Sequence, residues 1–428
     1  MRVLMFGWEF PPHISGGLGT ACYGLTKAMS KIPDIDILFV VPKAYGDEDR
    51  SAANVIGAAD VVVDQQQLKL KGFQKEINFI KVESALVPYT TEEEYFRLMA
   101  QMKEKQAQVY AAHNFKGKLH FTGKYGANLY EEINNYAMVA AMIALQYEFD
   151  IIHAHDWLTY PAGIAAKQIS GKPLVVHVHA TDFDRSGGNV NPYVYEVEKN
   201  GMMMADKVIT VSNYTRDIVI NKYGIDPAKV ITVHNAVEPV YRENGNTKPY
   251  RDKIVTFLGR ITLQKGPDYF IQAARKVLKR MKNVRFVMAG SGDMLNRMIS
   301  HVARAGIADR FHFTGFLSGD DVYKMFEMSD VYVMPSISEP FGIAPLEAIQ
   351  SNVPVIISKQ SGVAEVLNYA VKIDFWDVDA MADAIYALLN YDALSVTFKK
   401  YGKEEVQALQ WEKTASRIYQ IYSETVKK

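Results

Sequence analysis

The sequence has a single cysteine, Cys22, and no run of eighteen apolar residues. One cysteine excludes an intramolecular disulfide framework and a cysteine-based zinc site. Residues 3–6 are apolar but too few for the core of a signal peptide, and we expect no membrane span. Lys+Arg and Asp+Glu both number 48, so no net charge favours nucleic acid or an anionic membrane. We therefore expect a cytoplasmic protein without nucleic-acid or integral-membrane partners.

Strand-like apolar runs alternate with helical patterns along most of the chain, as is typical of doubly wound parallel sheets. At 428 residues the chain is too long for one ordinary core, so we predict two domains. A helix is predicted at residues 18–31, and the first series of strands at 3–6, 35–41, 151–154, 174–179, 207–211 and 230–233. The second series is predicted at residues 254–258, 284–289, 311–313, 331–334 and 353–357.

A polar, turn-rich segment at residues 242–249 separates the two series, and we place the domain boundary near residue 245. Residues 1–245 are predicted to form an N-terminal Rossmann-like domain, and residues 246–403 a C-terminal Rossmann-like domain. The final segment, residues 404–428, is predicted to be helical and to pack back on the first domain. Two such domains facing each other imply a cleft between the carboxyl edges of their sheets.

Two carboxylates bracket a turn near the end of the second series. Glu339 follows the strand-like run 331–334, and Glu347 falls in the first turns of the next helix. Free N–H groups and the helix dipole attract anions at this edge of a parallel sheet. A carboxylate beside an anion needs another partner, and hydroxyl groups suit it, so the pattern suggests a sugar joined to a phosphate. The alternative is a helix cap at Glu339 and a solvated Glu347.

The loop at residues 259–266 (GRITLQKG) carries two cations, Arg260 and Lys265, after the first strand of the second series. An Arg fork and a Lys point charge could together hold a diphosphate. The alternative is a solvated basic loop. A further glycine pair, Gly16-Gly17, follows the first strand of the chain and allows close approach of a phosphate or sugar, or simply a tight turn.

Other motifs weigh against common cofactors. The first loop lacks the Lys-Ser/Thr of a P-loop, and Leu295 stands where a dinucleotide fingerprint beginning at Gly290 needs its third glycine. Two His-x-His pairs, 153/155 and 177/179, lie at strand ends, where residues i and i+2 share a face and could chelate a metal. Neither pair has a clear third ligand, so we expect no metal and instead assign His179 as a hydrogen-bond donor to a sugar hydroxyl or to an oxygen near the anomeric carbon.

The order of these motifs resembles that of the retaining glycosyltransferases with the GT-B fold. The resemblance extends over essentially the whole chain and is most specific at residues 259–266 and 339–347. Within that group the chain looks like family 4 and its relatives, the glycogen and starch synthases. Residues 8–12 (WEFPP) and 153–157 (HAHDW) are closest to the glycogen synthases. The resemblance implies a metal-independent hexosyltransferase that needs no cofactor and uses a nucleotide-sugar, UDP-glucose or ADP-glucose, in glycogen biosynthesis.

The resemblance also implies roles for individual residues. Arg260 and Lys265 would hold the donor diphosphate and stabilise the leaving group, Glu347 would bond the ribose hydroxyls, and Glu339 would contact the transferred sugar. The catalytic set is thus Glu339, His179, Arg260 and Lys265. The remaining donor contacts would come from three places. Gly17 of the first loop would touch the diphosphate, and Leu317 lies in the segment that runs beside the nucleotide base in relatives. The backbone N–H groups that would bind sugar hydroxyls or phosphate are those of Phe341, Gly342 and Ile343.

The implied reaction retains the anomeric configuration by front-face attack, in which the leaving phosphate helps to remove the acceptor proton. The starch-type synthases carry a lysine where this chain has Ile14, so a UDP-sugar is at least as suitable as ADP-glucose. The acceptor stays open, since the tyrosine-rich segment 84–135, with a predicted helix at 91–112, either binds it or merely packs. The alternatives are a family 4 transferase making another glycan or glycoconjugate, and a GT-B nucleotide-sugar epimerase.

Overall fold

Two parallel β-sheets organise the molecule, one in each half of the chain. The computed structural model describes residues 1–13, 16–71, 73, 115–126, 128–239 and 251–427. The helix predicted at 91–112, the linker at 242–249 and Ile14 lie outside the described residues.

Within the described residues, the sheet of the first domain has seven parallel strands in the order β3-β2-β1-β6-β7-β8-β9. These strands are β1 (Arg2–Phe6), β2 (Asp36–Val41), β3 (Asn54–Gly57), β6 (Ile151–His155), β7 (Leu174–Val178), β8 (Lys207–Thr210) and β9 (Val230–Thr232). A separate antiparallel pair is formed by β4 (Val62–Asp64) and β5 (Lys116–Lys118). The central strands are almost continuously apolar because helices cover both faces of the sheet.

The described helices of the first domain are α1 (Gly17–Met29), α2 (Gln65–Leu70), α3 (Leu129–Gln146), α4 (Tyr160–Ser170), α5 (Asp182–Ser186), α6 (Pro192–Met204) and α7 (Asn213–Tyr223). Helices α3 and α4 pack on each other over one face of the sheet. Helix α1 covers the other face, where Cys22 and Leu25 are buried against β1 and β2.

The sheet of the second domain has six parallel strands in the order β12-β11-β10-β13-β14-β15. They are β10 (Lys253–Leu258), β11 (Val284–Ala289), β12 (Phe311–Gly315), β13 (Val331–Met334), β14 (Val355–Ser358) and β15 (Val371–Ile373). The helices around it are α8 (Pro267–Arg280), α9 (Leu295–Arg304), α10 (Asp320–Met328), α11 (Ala344–Gln350) and α12 (Val378–Asn390). The two sheets confirm the predicted pair of Rossmann-like domains.

Each sheet changes the direction of its strand order at one place, between β1 and β6 in the first domain and between β10 and β13 in the second. Ligands of open α/β sheets bind outside the carboxyl ends of the strands at such a switch point. The loops that follow these four strands are therefore where we look for a site.

The C-terminal segment forms two helices, α13 (Asp392–Gln407) and α14 (Trp411–Val426), where the sequence pattern predicted one continuous helix. The break lies at residues 408–410, and Gln410 is extended with ψ of 138°. This turn directs Trp411 onto α1, where the indole lies directly over Gly24. Helix α13 packs on α11 and α12 of the second domain, whereas α14 packs on α1 of the first. Among the described helices, none is both long and apolar enough to cross a membrane.

Candidate active site

The two loops at the switch point of the second domain lie against each other. The loop after β10 holds Arg260 and Lys265, and the loop after β13 holds Glu339. The side-chain amide of Gln264 donates to the carbonyl of Ser338 at 3.1 Å, and the N–H of Ile337 donates to the carbonyl of Gln264 at 2.8 Å. The predicted cations and the first carboxylate are thus brought to one edge of the sheet.

Lys265 and Glu339 form an ion pair, with Nζ 2.5 Å from Oε2. Glu339 is 6% exposed, and its carboxylate also accepts a hydrogen bond from the hydroxyl of Ser336 at 3.0 Å. Arg260 is exposed on the same loop. Residue Ile343, not Glu339, caps the following helix α11, and it does so without a side-chain hydrogen bond. The helix-cap alternative for Glu339 and the solvated-loop alternative for Lys265 therefore do not describe the structure.

The backbone of the basic loop depends on glycines. Gly266 ends a 3₁₀ turn at Leu263–Lys265 with φ of 64°, and a Cβ there would lie 2.1 Å from the carbonyl oxygen of Pro335. This close approach ties the loop after β10 to the end of β13. The position of Lys265 beside Glu339 follows from it.

The turn before α11 presents backbone donors. Gly342 has φ of 100°, a conformation that L side chains rarely adopt. The N–H groups of Phe341, Gly342 and Ile343 have no hydrogen-bond acceptor among the described residues. Three such N–H groups at the start of a helix can bind an anion or hydroxyl oxygens.

Glu347 lies in the first turn of α11 and is half-buried. Burial raises the pKa of its carboxyl to about 7. A carboxyl in this state accepts hydroxyl hydrogen bonds best once it is ionised. Leu317 is half-buried after β12 and packs with the core beside α11.

His179 follows β7 in the first domain. Its Nε2 lies 3.0 Å from Nδ1 of His155, and burial lowers the pKa of the His179 ring to about 3, so the imidazole is neutral. A neutral imidazole offers one N–H donor and one acceptor. Gly17 is the first residue of α1 and is exposed, and a Cβ there would meet no atom within 4 Å.

The loop of Glu339 also contacts the first domain through the residues on either side of it. The hydroxyl of Ser338 donates to Asp184 Oδ1 at 2.5 Å and lies 2.8 Å from the hydroxyl of Tyr214. The hydroxyl of Ser212 donates to the carbonyl of Pro340 at 2.6 Å. Asp184 lies five residues beyond His179, so this contact joins the two halves of the predicted site.

A second link between the domains is made by Glu365, which accepts hydrogen bonds from the N–H groups of Asn213 and Tyr214 at 2.9 and 2.7 Å. These groups begin α7, where negative charge is favourable. Burial would raise the pKa of Glu365, but hydrogen bonds from His234 and from the two N–H groups hold it below its usual value.

The segment after His179 is held by buried ion pairs. Arg185 donates to Asp156 Oδ2 and to Glu198 Oε1, each at 2.9 Å, and all three side chains are 8% exposed or less. Burial raises the pKa of Glu198 to about 8, although the charge of Arg185 opposes the rise. Sequence reasoning missed Asp184, Arg185 and Ser338 as contributors to the site. The capping box from Thr181 to Asp184 was a usable signal, since it marks a helix start at a strand end.

A cavity of about 370 Å³ opens at the carboxyl edge of β1 and β2. Its lining combines aromatic rings with charged groups, including Trp8, Tyr45, Tyr125, Glu9 and Lys43. Tyr45 is 46% exposed, with the ammonium of Lys43 4.9 Å from its ring centroid. An exposed aromatic ring beside charged hydrogen-bonding groups suits a polyhydroxyl ligand.

Two doubly wound parallel-sheet domains, one in each half of the chain, are the architecture of the GT-B proteins. Comparison with known proteins agrees. Residues 242–405 match the family model Glycosyl transferases group 1, and residues 96–241 match Glycosyltransferase Family 4. The two matches together span residues 96–405, and they identify the chain as a glycosyltransferase with a group 1 match in its C-terminal half and a family 4 match in its N-terminal half.

Three of the matches to individual proteins extend over nearly the whole chain. An uncharacterized glycosyltransferase of Methanocaldococcus jannaschii is 26% identical and covers 99% of this chain and 98% of its own length. Glycogen synthase of Mycobacterium tuberculosis is 23% identical, with 99% and 94% covered. The solved structure of sucrose-phosphate synthase from Thermosynechococcus elongatus superposes with a TM-score of 0.73 at 18% identity, covering 99% and 98%. This last likeness shows the GT-B fold.

Proposed function

We propose that the protein is a retaining transferase that moves a glucosyl unit from a nucleotide-diphosphoglucose to a hydroxyl of an α-glucan. The observation that carries the proposal is the contact between Lys265 and Glu339 at the switch point of the second domain, with Arg260 on the same loop. The similarity to a glycogen synthase along 99% of the chain supports the α-glucan. The proposal places the protein in the cytoplasm.

The donor diphosphate is proposed to lie between the basic loop and the N–H groups that precede α11. Its negative charge would replace Glu339 as the partner of Lys265, and the freed carboxylate would accept hydrogen bonds from the sugar hydroxyls. Arg260 and Lys265 would stabilise the leaving diphosphate more strongly as its charge grows, which lowers the barrier to transfer. These two cations make a metal ion unnecessary for the transfer.

The leaving and attacking groups share one face of the sugar in the proposed reaction. The C1–O bond to the diphosphate breaks, the acceptor oxygen bonds to C1, and the acceptor proton passes to the leaving phosphate oxygen. His179 would donate a hydrogen bond to the sugar, and the link from Ser338 to Asp184 keeps its strand end beside Glu339. Water exclusion by the two domains favours transfer over hydrolysis.

The acceptor is proposed to bind in the cavity lined by Trp8, Tyr45 and Tyr125, on the opposite side of the cleft from the donor loops. Transfer to another glycan or glycoconjugate is the second candidate. For either acceptor, Ile14 stands where starch-type synthases carry a lysine, so a UDP-sugar is at least as suitable a donor as ADP-glucose.

The donor is tested by thermal shift with UDP, ADP, GDP and their glucose conjugates in EDTA. A ligand at a hundredfold excess over its Kd adds about 2.7 kcal/mol to the free energy of unfolding. We expect one nucleotide family to raise the melting temperature, and Arg260→Ala to abolish the shift. Arg280→Ala is the matched control, since Arg280 pairs with Asp383 on the exposed face of α8. Absence of a shift with every diphosphate would contradict the donor site.

The acceptor is tested by incubating the identified donor with maltooligosaccharides and determining the new linkage by NMR. An α-linked product is expected. Tyr45→Ala should lower transfer about tenfold, or roughly 1.4 kcal/mol, while donor binding stays unchanged. Tyr391→Ala, an exposed tyrosine of the second domain, should have no effect. A β-linked product would disprove retention, and no elongation of any glucan would favour the second candidate.

A further inference from the structure

Four histidines of the first domain form a cluster on one face of its sheet. His153 and His155 occupy alternate positions of β6, His177 lies opposite His155 on β7, and His179 follows. The ring centroids of His153 and His155 are 4.1 Å apart, and each is 5.4 Å from that of His177. His153, His155 and His177 are at most 1% exposed.

The nitrogens of these three buried rings are only partly used. Nδ1 of His153 contacts the hydroxyl of Tyr422, and Nδ1 of His155 contacts His179. Nε2 of His153, Nε2 of His155 and both nitrogens of His177 have no hydrogen-bond partner within the described parts of the chain. Buried polar atoms almost always have a partner, so these four nitrogens point to a ligand.

We propose that His153, His155 and His177 bind one divalent transition-metal ion of the zinc, cobalt, nickel and copper class. One nitrogen from each ring lies within 4.8 Å of one from each of the others. Neutral imidazole suits these metals, whereas magnesium and calcium prefer oxygen ligands. The site goes beyond the proposed function, because none of the three residues takes part in the transfer.

A second set of ligand atoms, from Cys22, His155 and His179, also lies within 4.8 Å of one another. In that set Nε2 of His179 already contacts His155. All four nitrogens without a partner belong to the first set, and the metal is therefore assigned to the three histidines.

Metal binding would fix the proton positions of the neighbouring rings. A metal on Nε2 of His155 leaves the proton on Nδ1, which then donates to Nε2 of His179. His179 must then carry its own proton on Nδ1, so it is held as a hydrogen-bond donor. This consequence rests on the proposed role of His179, whereas the metal site itself does not.

The test uses the tag-free full-length chain after removal of metal with 1,10-phenanthroline. Cobalt(II) is titrated optically and zinc(II) by calorimetry. We expect one ion per chain and visible cobalt absorption that zinc abolishes. His177→Leu should weaken binding at least a hundredfold, and Cys22→Ser should not. His312→Leu, which removes an exposed histidine of β12, is the matched control and should bind as the unaltered chain does.

The proposal is overturned if the unaltered chain binds no ion at one equivalent, an experiment that needs no variant. It is also overturned if His177→Leu binds as tightly as the unaltered chain, or if Cys22→Ser loses the ion while His177→Leu retains it. His177→Leu removes two nitrogens without partners, so the metal-free variant should melt at or above the temperature of the metal-free unaltered chain. Nucleotide binding is also measured on the metal-free chain. A chain that binds no metal but binds the nucleotide contradicts the metal site alone and leaves the proposed function intact.

Discussion

Single residues at the donor edge combine burial with unusual backbone geometry. Glu347 is half-buried in the first turn of a helix, and Gly266 approaches the backbone at the end of the neighbouring strand. At both positions the conformation or the burial costs stability and places a ligand-binding group, which is common at functional sites. The consequences can be measured one residue at a time.

Glu347 should make both stability and donor binding depend on pH. Its folded pKa of about 7 lies above the value near 4.3 of an unfolded glutamate. Its contribution to the free energy of unfolding is therefore complete below about pH 4 and is lost progressively as pH rises from about 4 through 7, on the order of 3–4 kcal/mol. In Glu347→Gln this loss should disappear, as measured by urea unfolding at pH 5, 6, 7 and 8.

Donor affinity should change in the opposite direction, because only the ionised carboxylate accepts two ribose hydroxyls. The Kd for the preferred nucleotide is expected to fall as pH rises from 6 to 8 in the unaltered chain, and to stay constant and higher in Glu347→Gln. Calorimetric titration at both pH values measures it. Parallel pH profiles for the two chains would show that Glu347 does not contact the donor.

Two glycines should respond differently to alanine. Gly266→Ala is expected to lower the free energy of unfolding by about 2–4 kcal/mol, because a Cβ would collide with Pro335 at a positive φ. Gly17→Ala should leave stability equal or slightly higher, since a Cβ there meets nothing. If the first loop contacts the diphosphate, Gly17→Ala should nevertheless weaken donor binding. Denaturant unfolding and nucleotide titration measure the two effects, and unaltered affinity would remove Gly17 from the donor site.

At the scale of elements, α14 depends on one close contact. A Cβ on Gly24 would lie 2.5 Å from the indole of Trp411. Gly24→Ala should therefore destabilise the protein by about 1–3 kcal/mol through overpacking. Trp411→Leu in the same chain should recover part of that loss. Gly402→Ala is the matched helical control, where a Cβ makes only ordinary contacts and helix propensity should improve stability. Additive effects of Gly24→Ala and Trp411→Leu in thermal unfolding would contradict the contact.

The elements themselves were largely predictable from apolar periodicity, since every predicted strand is present within one or two residues of its expected bounds. The pattern missed β3, β4, β5 and β15, each of three or four residues. It also missed the break at residues 408–410, where neither glycine nor proline marks a helix end. The contact of Ser338 with Asp184 joins residues 154 positions apart, and no local pattern could predict it. The switch-point placement of Arg260, Lys265 and Glu339 followed from strand order.

At the scale of the whole molecule, Ser338 joins the donor loop to the first domain. Ser338→Ala leaves the buried carboxylate of Asp184 with one donor fewer, which should cost about 1–3 kcal/mol. It should also lower kcat at saturating donor by about tenfold, because Glu339 loses its support from the other domain. Ser351→Ala, whose hydroxyl bonds only within α11 and its end, is the control. Melting temperature, steady-state kinetics and small-angle scattering measure these effects, and unchanged kcat and radius of gyration would show that the contact is incidental.

The docking of α14 on the first domain also sets the order in which the chain can complete its fold during synthesis. Trp411, Ile418 and Tyr422 belong to the same apolar cluster as β1 and β2. The ribosome makes the whole second domain before it makes these residues. At a synthesis rate of about 5–20 residues per second, one face of the first sheet stays without helix α14 packed on it for several seconds or longer. The first domain is therefore the first to be synthesised and the last to complete its fold. Nascent chains that stall within the second domain expose this apolar face and should be the species most dependent on chaperones.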